Sequence, residues 1–600
     1  METKEASKEA KHLKLDSGLK KYNTCIKICV HVNNVRFNLS GYMSGVNKDD
    51  LAMFVADLHN LLDWHDDSSR ACNVTDIIES LVQTYVIERF VQTDIIGSLV
   101  CADIIKSLQQ TDVIERLVQT DIIERLVQTD IIGSLTAQKE QLWLFDGRRG
   151  ERSSDEELSV RVCWVLDQLG YSQSMVLHRR VTCKKWEVIG SINIISQYNT
   201  TIITAGSKGE GFAAPFESDS DTVLLYMYSV CKTPGDDSLT LPDTHYEFTM
   251  DSEHCHPGHF RLELTQSGTT GKSNIQQALF VHDNGKTYIS SEKYVTSFIK
   301  DNDQTVSGPA ITGCSKYSSW DHVNSFRCTS QQQLLSQWIN RQRHHNWPTQ
   351  DLIEEASKLE AQMVPVGCKG SEHKNIEWRV CFILSVQKLT DSWNENQYKI
   401  YILLKLIKKS QLKPISDEIS SYLMKNIVLW FTEQNPAKIF KKKYLLQNVM
   451  NCLRNLQDAI KANHLPFYML PDRNLLIGRI NPEQQQLLIE KLGDLIEEGP
   501  RVILRCPKVS KALEMSPAEL AKKNRWREKL EKLWLEGMNI WFTYWSLNKE
   551  GVEINKEAWR NPHYIRLYDR IHGMVWPQWR EYQGDDRVDI LKRKVVGVLS

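Results

Sequence analysis

One short segment of this 600-residue chain combines residue types that could handle nucleotides and metal ions. It begins with Gly206-Ser207-Lys208-Gly209-Glu210-Gly211 and continues to Asp219-Ser220-Asp221 and the apolar run Thr222–Tyr226. Side chains alternate across a strand, so the two aspartates are expected on one face, where they can share divalent cations with substrate phosphates. A Gly-Ser turn can offer backbone N–H groups and a hydroxyl to phosphate oxygens. The segment therefore predicts an enzyme that acts on nucleotides.

A simpler interpretation of the same residues is a solvated acidic turn, because Asp-Ser-Asp in a serine-rich loop is common on protein surfaces. The apolar run after Asp221 favours the first interpretation, since a turn that leads into a buried strand places its acids at the edge of a sheet. The segment alone leaves both interpretations open.

Size and composition limit the class of protein. The chain is too long for one hydrophobic core, so roughly two to four domains are expected. Its 41% apolar and 25% charged residues are ordinary for a soluble protein, and a net charge of −1 excludes a uniformly basic nucleic-acid binder but allows a local patch. We find no apolar run of about 18 residues and no signal sequence after Met1, so the predicted protein lacks a membrane span and is cytoplasmic.

Cysteine and histidine do not point to a metal site. The 14 cysteines are scattered singly, which favours reduced thiols in a chain without a secretory signal. Residues 254–259 (His-Cys-His-Pro-Gly-His) could hold a metal, but they are crowded around a Pro-Gly turn and no Cys-x-x-Cys pair accompanies them. A polar loop is the prediction.

Residues 75–136 form an internal repeat with a strict nine-residue period, whose best copy is Asp121–Thr129. Each copy is typical of a helix, because apolar pairs recur four residues apart. Nine residues are two and a half turns, so successive copies present their apolar stripes on opposite sides. The repeat predicts an insertion that is sandwiched, self-associated or broken between copies. A recent tandem duplication and a self-association module both remain open.

The rest of the chain predicts an α+β half followed by a helical half. A helix is expected from the capping box at 154–157 to Gly170, and β-rich runs follow from residue 192 to about 328. Residues 351–477 are mainly helical in pattern, and the tail from about 481 is charged, rich in Trp and helical. This arrangement favours two lobes with a ligand cleft between them.

Several motifs occur in a fixed order along residues 206–471. They are Gly206–Gly211 with Asp219–Asp221, Gly308–Ala310 with Ser319–Val323, Val364–Gly367 with Glu377–Arg379, Ile419–Tyr422 with Gln434–Pro436, and Leu465–Pro471. Together they resemble the male abnormal twenty-one family, which includes cyclic GMP-AMP synthase and the related animal receptors. The resemblance covers roughly residues 154–480, and the order and spacing are far more specific than any one fragment.

The resemblance implies an α+β fold, a bilobed nucleotidyltransferase whose mixed sheet is like that of polymerase beta, with a C-terminal helical lobe that closes the cleft. The expected divisions are an N-terminal segment of unknown role at 1–74, the helical repeats at 75–136, the nucleotidyltransferase domain at 150–375, a helical domain of the family's HhH/H2TH-like type at 376–480, and a helical extension at 481–600.

The site residues are carried over position by position. Asp219, Asp221 and Asp321 match the family's acidic triad, which implies that they are catalytic and bind Mg²⁺ or Mn²⁺. Gly206 and Ser207 match the turn that contacts nucleotide phosphates. A salt bridge at a strand edge is the structural alternative for Asp321.

The helical lobe is expected to hold the nucleotides. Arg379, Lys408, Ser421 and Tyr422 match residues that contact bases and phosphates, and Tyr422 would stack on a purine. Ordinary core packing is the alternative for Tyr422. Cys381 and Val386 depart from the synthase, which has a serine and an acid at these positions, and this difference bears on base selectivity and on activity.

Activation by nucleic acid is the family's second feature. The family's zinc-binding insertion is absent, because residues 394–413 contain no Cys or His, so no structural zinc is expected. That feature accompanies DNA sensing, and members without it include some that respond to double-stranded RNA, which is therefore the expected activator. The predicted nucleic-acid patch is Lys438, Lys441, Lys442 and Lys443, which follow the lysines at 405–413 in a locally basic region. A solvated helical face is the alternative.

Three functions remain after the sequence has been considered. The first is a synthase that joins ATP and GTP, or other nucleoside triphosphates, into a cyclic dinucleotide messenger of innate immunity by two-metal catalysis. The second is a catalytically silent protein of the same fold that binds a nucleotide or a partner protein. The third is a scaffold that oligomerises through the repeats. The complete acidic triad and the Gly-Ser turn favour the first.

Overall fold

The computed structural model describes residues 155–198, 200–236, 240–269, 272–299, 304–314, 319–547, 558–575 and 594–598, and the strands at 26–32 and 35–41. The nine-residue repeats at 75–136 lie outside these residues. The chain divides into two units, residues 1–87 and 88–600. In the first, β1 (Ile26–Val32) and β2 (Val35–Gly41) form an antiparallel hairpin, a structure that the sequence did not predict.

The second unit begins with α1 (Asp155–Leu166) and α2 (Gln173–Tyr198). Val162 and Val165 on the apolar stripe of α1 are buried. A π-helical turn joins the two helices, and within it Gly170 has a φ of 90°, a conformation that glycine adopts at little cost. The predicted end of the first helix at Gly170 is therefore close to the observed one.

The centre of this unit is a mixed sheet. Its strands are β3 (Thr200–Thr204), β4 (Ser220–Lys232), β5 (Tyr246–Asp251), β6 (His259–Gln266), β7 (Leu279–Val281), β8 (Thr287–Ile289), β9 (Thr305–Ser307), β10 (Ala310–Cys314), β11 (Ser319–Cys328), β12 (Ala361–Val364) and β13 (Glu377–Cys381). They follow the order β3-β4-β5-β6-β13-β12-β11-β10-β9, and β11 also pairs with β4. This extra pairing closes β4, β5, β6, β13, β12 and β11 into a ring.

Aromatic side chains fill the inside of this ring. Phe326 of β11 lies between Phe248 of β5 and Trp378 of β13, at centroid distances of 5.4 Å and 4.8 Å. Tyr294 packs edge-on against Phe326 at 4.9 Å, and all four residues are buried. Large aromatic residues bury much apolar area each, so this cluster fixes the strands that carry the site.

Short helices connect the strands, and longer helices follow them. The connecting helices are α3 (Gly206–Gly209), α4 (Lys272–Ala278), α5 (Ser291–Thr296), α6 (Gln331–Leu334), α7 (Ser336–Asn340) and α8 (Gln350–Lys358). The C-terminal helices are α9 (Ile383–Asp391), α10 (Glu395–Ile407), α11 (Ser421–Gln434), α12 (Leu445–Lys461), α13 (Pro482–Glu498), α14 (Pro507–Glu514), α15 (Pro517–Leu547) and α16 (Pro562–Val575). Capping boxes at Asn394 and Asn481 begin α10 and α13.

The unit is thus a mixed α+β structure with a helical C-terminal region, as predicted. Strand β13 lies within residues 376–480, the range expected to be the helical domain, but it pairs with β12 and β6 as part of the sheet. The described residues after Ile383 are mainly helical, from α9 to α16. Among the described residues, no helix is long and apolar enough to cross a membrane.

Candidate active site

The three predicted acids lie at the start of two neighbouring parallel strands. Asp221 of β4 and Asp321 of β11 are direct partners in the parallel ladder, and Asp219 immediately precedes β4. The hydroxyl of Thr312 donates a 2.7 Å hydrogen bond to Asp321 Oδ1, and Ser319 donates a short one to Asp219. The register of β4 and β11 therefore gathers acids that are 100 residues apart in the sequence.

The carboxylates repel one another. Burial first, and then the charges of Asp321 and Asp219, raise the pKa of Asp221 to about 6, while Lys425 and Lys208 act in the opposite direction. Like charges at close range and loss of solvent both disfavour the ionised form. A divalent cation would relieve this repulsion, and carboxylate oxygens are the ligands that Mg²⁺ and Mn²⁺ prefer.

The Gly-Ser turn is packed directly against these acids. Gly206 has a φ of 66°, and a Cβ added to it would lie 1.9 Å from Asp221 Oδ2. The backbone N–H of Ala205 also donates a 2.9 Å hydrogen bond to the carbonyl of Asp221. Glycine at position 206 is therefore required both by the left-handed backbone and by the approach of the carboxylate.

Ser207 lies in a buried polar contact between the turn and α10. The ammonium group of Lys405 donates a 2.9 Å hydrogen bond to Ser207 Oγ, which is also 3.2 Å from the hydroxyl of Tyr401. Burial lowers the pKa of Lys405 to about 8, and Glu217 opposes this shift. A half-buried lysine beside a serine hydroxyl is suited to holding phosphate oxygens.

A buried ion pair connects the turn to α11. Lys425 Nζ is 2.6 Å from Glu210 Oε1, and both side chains are almost completely buried. Its ammonium group lies 5.8 Å from the ring centroid of Tyr401. The position of Lys425 also places it within electrostatic reach of both Asp221 and Tyr422. Helix α11 therefore connects the region of the acids around Asp221 with a second region of the site around Tyr422.

This second region contains residues predicted to bind the base of a nucleotide. Tyr422, in the first turn of α11, is 40% exposed as a residue, so it is not a core residue, although burial raises the pKa of its hydroxyl to about 12. Its ring centroid is 5.9 Å from that of Phe467. Ser421 begins the same helix, and Arg379 lies on β13 with its buried Nε atom unpartnered by any described residue.

Lys408 lies just past the end of α10. The helix ends at Ile407, and Lys408 begins a π-helical turn at 408–412. Burial and the charge of Lys413 lower the pKa of Lys408. Lys405, three residues earlier on α10, donates a hydrogen bond to Ser207, and none joins Lys408 to the described residues of the Gly-Ser turn.

The predicted nucleic-acid patch lies on the surface between α11 and α12. Lys438, Lys441, Lys442 and Lys443 are all exposed. Lys443 pairs with Glu156 of α1 at 3.3 Å, and the charge of Lys442 helps to lower the pKa of Glu395 at the start of α10. Within the described part of the chain, Lys438 and Lys441 form no ion pair.

Three potential metal ligands lie close together among the described residues, but the ammonium group of a lysine fills the space between them. Cys163, Asp167 and Glu395 lie close together, but the ammonium group of Lys399 stands among them. It is 2.6 Å from Asp167 Oδ1 and 3.3 Å from Cys163 Sγ, and it also bonds Glu395. This cluster is a buried ion-pair network that anchors α10 to α1.

Helix α15 of the C-terminal extension stabilises the Gly-Ser turn through an arginine of α2. Arg179 of α2 makes a bidentate ion pair with Glu531 of α15, at 2.5 Å and 3.0 Å, and both side chains are buried. Arg179 also donates a 3.2 Å hydrogen bond to the carbonyl of Gly211. Neither residue was predicted to matter, because the pair joins positions 352 residues apart.

Comparison with known families supports the predicted resemblance. Residues 396–494 match the family model described as the Mab-21 protein HhH/H2TH-like domain. The matched range covers α10 from its second residue and all of α11 and α12, and these helices carry Tyr401, Lys405, Tyr422 and Lys425. It also extends into α13, beyond the predicted boundary at 480.

Proposed function

We propose that this chain joins nucleoside triphosphates into a cyclic dinucleotide, because residues 396–494 match the C-terminal domain model of the Mab-21 family, which is related to nucleotidyltransferases. ATP and GTP are the proposed substrates, and innate immune signalling is the proposed setting. The observation that carries the proposal is the pairing of Asp221 with Asp321 beside the Ser207 turn. It supports a site at which metal ions and a triphosphate meet.

The acids suit a pair of divalent cations. The donors are hard oxygens of Asp219, Asp221 and Asp321, and the pKa of Asp221 is raised by burial first and then by the negative charges of Asp321 and Asp219. Bound Mg²⁺ or Mn²⁺ would lower the pKa of the attacking ribose hydroxyl and neutralise charge on the leaving pyrophosphate.

The residues of the chain then have distinct tasks. When Ser207 accepts hydrogen bonds from Lys405 and Tyr401, its own hydroxyl hydrogen is left to donate to a phosphate oxygen. Lys405 supplies a positive charge to the same phosphate. In the first turn of α11, the partly exposed Tyr422 offers a ring on which a purine can stack.

We propose double-stranded RNA as the activator, bound by the lysine patch. The support is the exposure of all four lysines and their position beside the start of α10, the helix that carries Tyr401 and Lys405. RNA phosphates would compete with Glu156 and Glu395 for these lysines, so binding at the surface acts on the two helices that Lys399 joins.

The first test is synthesis by the purified protein. It would be incubated with labelled ATP and GTP and Mg²⁺ or Mn²⁺, with and without long double-stranded RNA or DNA, and the products separated by thin-layer chromatography. We expect a phosphatase-resistant product with RNA, reduced about a thousandfold or more in Asp219→Asn and Asp321→Asn. Asp458→Asn, an exposed aspartate on α12, is the matched control.

The same assay separates the alternatives. A product made equally well by Asp219→Asn would contradict the metal site, and no product under any condition would favour the silent, nucleotide-binding alternative. Lys441→Glu with Lys442→Glu should abolish RNA retention and activation without lowering the unfolding temperature. Unchanged RNA retention by that double variant would refute the patch as the RNA site.

A further inference from the structure

A short stretch of chain between the Gly-Ser turn and the acids is held by side chains rather than by a helix or a strand. Residues 210–219 separate α3 from β4 and belong to neither. Stretches of this kind are easily displaced unless side-chain contacts fix them. Asp221 is held in the ladder of β4 with β11, but Asp219 precedes the ladder, so its position depends on the residues before it. Residues 212–217 are called the connecting segment below.

The first residue of the connecting segment packs against α10. Phe212 is buried, and its ring centroid is 5.5 Å from that of Tyr398 and 5.7 Å from that of Tyr401, both on α10. The guanidinium group of Arg180 lies 5.0 Å from the centroid of the same phenylalanine ring. These contacts fix the beginning of the segment against the helix that carries Lys405.

The last two residues of the connecting segment are held by the C-terminal extension. The ring centroid of Phe216 lies 5.3 Å from that of Trp534 on α15. Lys508 of α14 donates a 2.8 Å hydrogen bond to Glu217 Oε1, and the two side chains are only 30% and 15% exposed. The extension residues Lys508 and Trp534 lie beyond 396–494, the range that matches the family's domain model. These contacts are therefore additional to the matched domain.

Glu217 joins several parts of the structure. Its Oε1 also accepts a short hydrogen bond from the hydroxyl of Tyr171, in the π-helical turn between α1 and α2. Its Oε2 accepts a 3.0 Å hydrogen bond from the backbone N–H of Ala214, which closes the segment on itself. Lys508 donates a 3.2 Å hydrogen bond to the same tyrosine hydroxyl. A carboxylate that accepts several hydrogen bonds, one of them from a cation, is held in one orientation.

The carboxylate of Glu217 is ionised throughout the neutral range of pH. Burial favours the neutral acid, but the charges of Lys508 and then Lys405 outweigh burial and lower the pKa of Glu217 to about 2. Removing one partner of such a pair leaves the other charge poorly compensated. The connecting segment is therefore expected to shift when Lys508 is neutralised.

We propose that Glu217 is a positioning residue for Asp219, and that Lys508 and Trp534 make the C-terminal extension part of the metal site by holding the connecting segment. Asp219 follows Glu217 by two residues, which the backbone spans with at most about 7 Å. Displacement of Glu217 therefore moves Asp219 relative to Asp221, which the ladder of β4 and β11 keeps in place. The inference rests on the proposed function in taking Asp219 as a metal ligand.

The test is the affinity of the full-length protein for Mn²⁺, measured by titration calorimetry without nucleotide. Lys508→Met and Glu217→Gln should each weaken Mn²⁺ binding about tenfold, the usual effect of losing a group that orients a metal ligand. Lys508→Arg keeps the charge and should recover most of the affinity. The matched control is Lys232→Met, which removes an ion pair of the same length, 2.8 Å to Glu247, at the far end of β4 and should bind Mn²⁺ like the wild type.

A double variant separates positioning from general stability. If Lys508 acts through Asp219, its loss should matter little once that carboxylate has been removed, so adding Lys508→Met to Asp219→Asn should change the Mn²⁺ affinity less than about twofold. The same loss of affinity in both backgrounds would overturn the proposal, because Lys508 would then act independently of Asp219. Equal affinities of Lys508→Met and the wild type would overturn it as well.

Hydrogen exchange gives a second measurement that needs neither metal nor activity. The amide of Ala214 donates to Glu217, so it should exchange faster in Lys508→Met than in the wild type, while the amides of α12 keep their rates. Unchanged exchange at Ala214 would overturn the role of Lys508 in holding the connecting segment. A wild-type protein without affinity for Mn²⁺ would instead refute the metal site of the proposed function, and exchange at Ala214 would still decide whether Lys508 holds the segment.

Discussion

Binding of a triphosphate should draw a proton from solvent onto Lys405. This lysine has a pKa of about 8 in the free protein, chiefly because of burial, and it donates to Ser207 where a phosphate is expected. A phosphate group beside it would return its pKa toward the ordinary value, because a nearby negative charge favours the charged form. The bound state then holds more protons than the free state.

The size and sign of the effect follow from this pKa. At pH 8 about half of the Lys405 groups are neutral, so binding should take up about half a proton per site, and only about a tenth of a proton at pH 7. Since the complex binds more protons, affinity should fall as pH rises above 8, by up to about tenfold per unit. Asp221, with a pKa of about 6, is already ionised at pH 8 and should contribute little.

The assay is calorimetry of a non-hydrolysable triphosphate with Mg²⁺ at pH 8, in two buffers with different ionisation enthalpies. The difference in heat between buffers gives the proton uptake. Lys405→Met should abolish the uptake and weaken binding, while Lys441→Met, an exposed lysine of the patch, should change neither. Uptake that persists in Lys405→Met, or is absent from the wild type, would refute the placement of this lysine at the phosphates.

Two further variants test residues that hold the Gly-Ser turn in place. Gly206→Ala should lose synthase activity, because the new Cβ would meet Asp221 Oδ2 at 1.9 Å, whereas Gly235→Ala, with a φ of 79° and nothing within 4 Å, should keep activity despite a strain of about 1–2 kcal/mol. Equal activity of the two variants would contradict the steric argument. Glu531→Gln should lower the free energy of unfolding by about 3 kcal/mol in urea titrations, because the buried Arg179 loses its counter-charge. A loss below about 1 kcal/mol would mean that water or another group compensates.

Local pattern was enough to predict much of the fold. The β-rich region predicted from residue 192 to about 328 contains strands β3 to β11, which begin at Thr200. The helical pattern at 351–477 corresponds mainly to helices α8 to α12. These features depend on residues close in sequence, which is why they are readable without a structure.

The residues that the sequence missed depend on long-range contacts. Lys405 and Lys408 are three residues apart and equally basic, and only the tertiary structure shows that Lys405 hydrogen-bonds Ser207. Arg179 and Glu531 lie 352 residues apart, and no local pattern near either residue predicts their ion pair. Whether a charged side chain has a partner depends on the tertiary structure, which local sequence does not reveal.

The ion pair between Arg179 and Glu531 has a consequence for folding during synthesis on the ribosome. Every predicted catalytic and nucleotide-binding residue lies before residue 423, but the carbonyl of Gly211 is held by Arg179, whose partner Glu531 is made more than three hundred residues after it. Contacts of such sequence separation form late in folding. A nascent chain therefore contains the predicted acids and the Gly-Ser turn long before it can hold the turn in place, and the proposed activity would begin only after translation has passed α15.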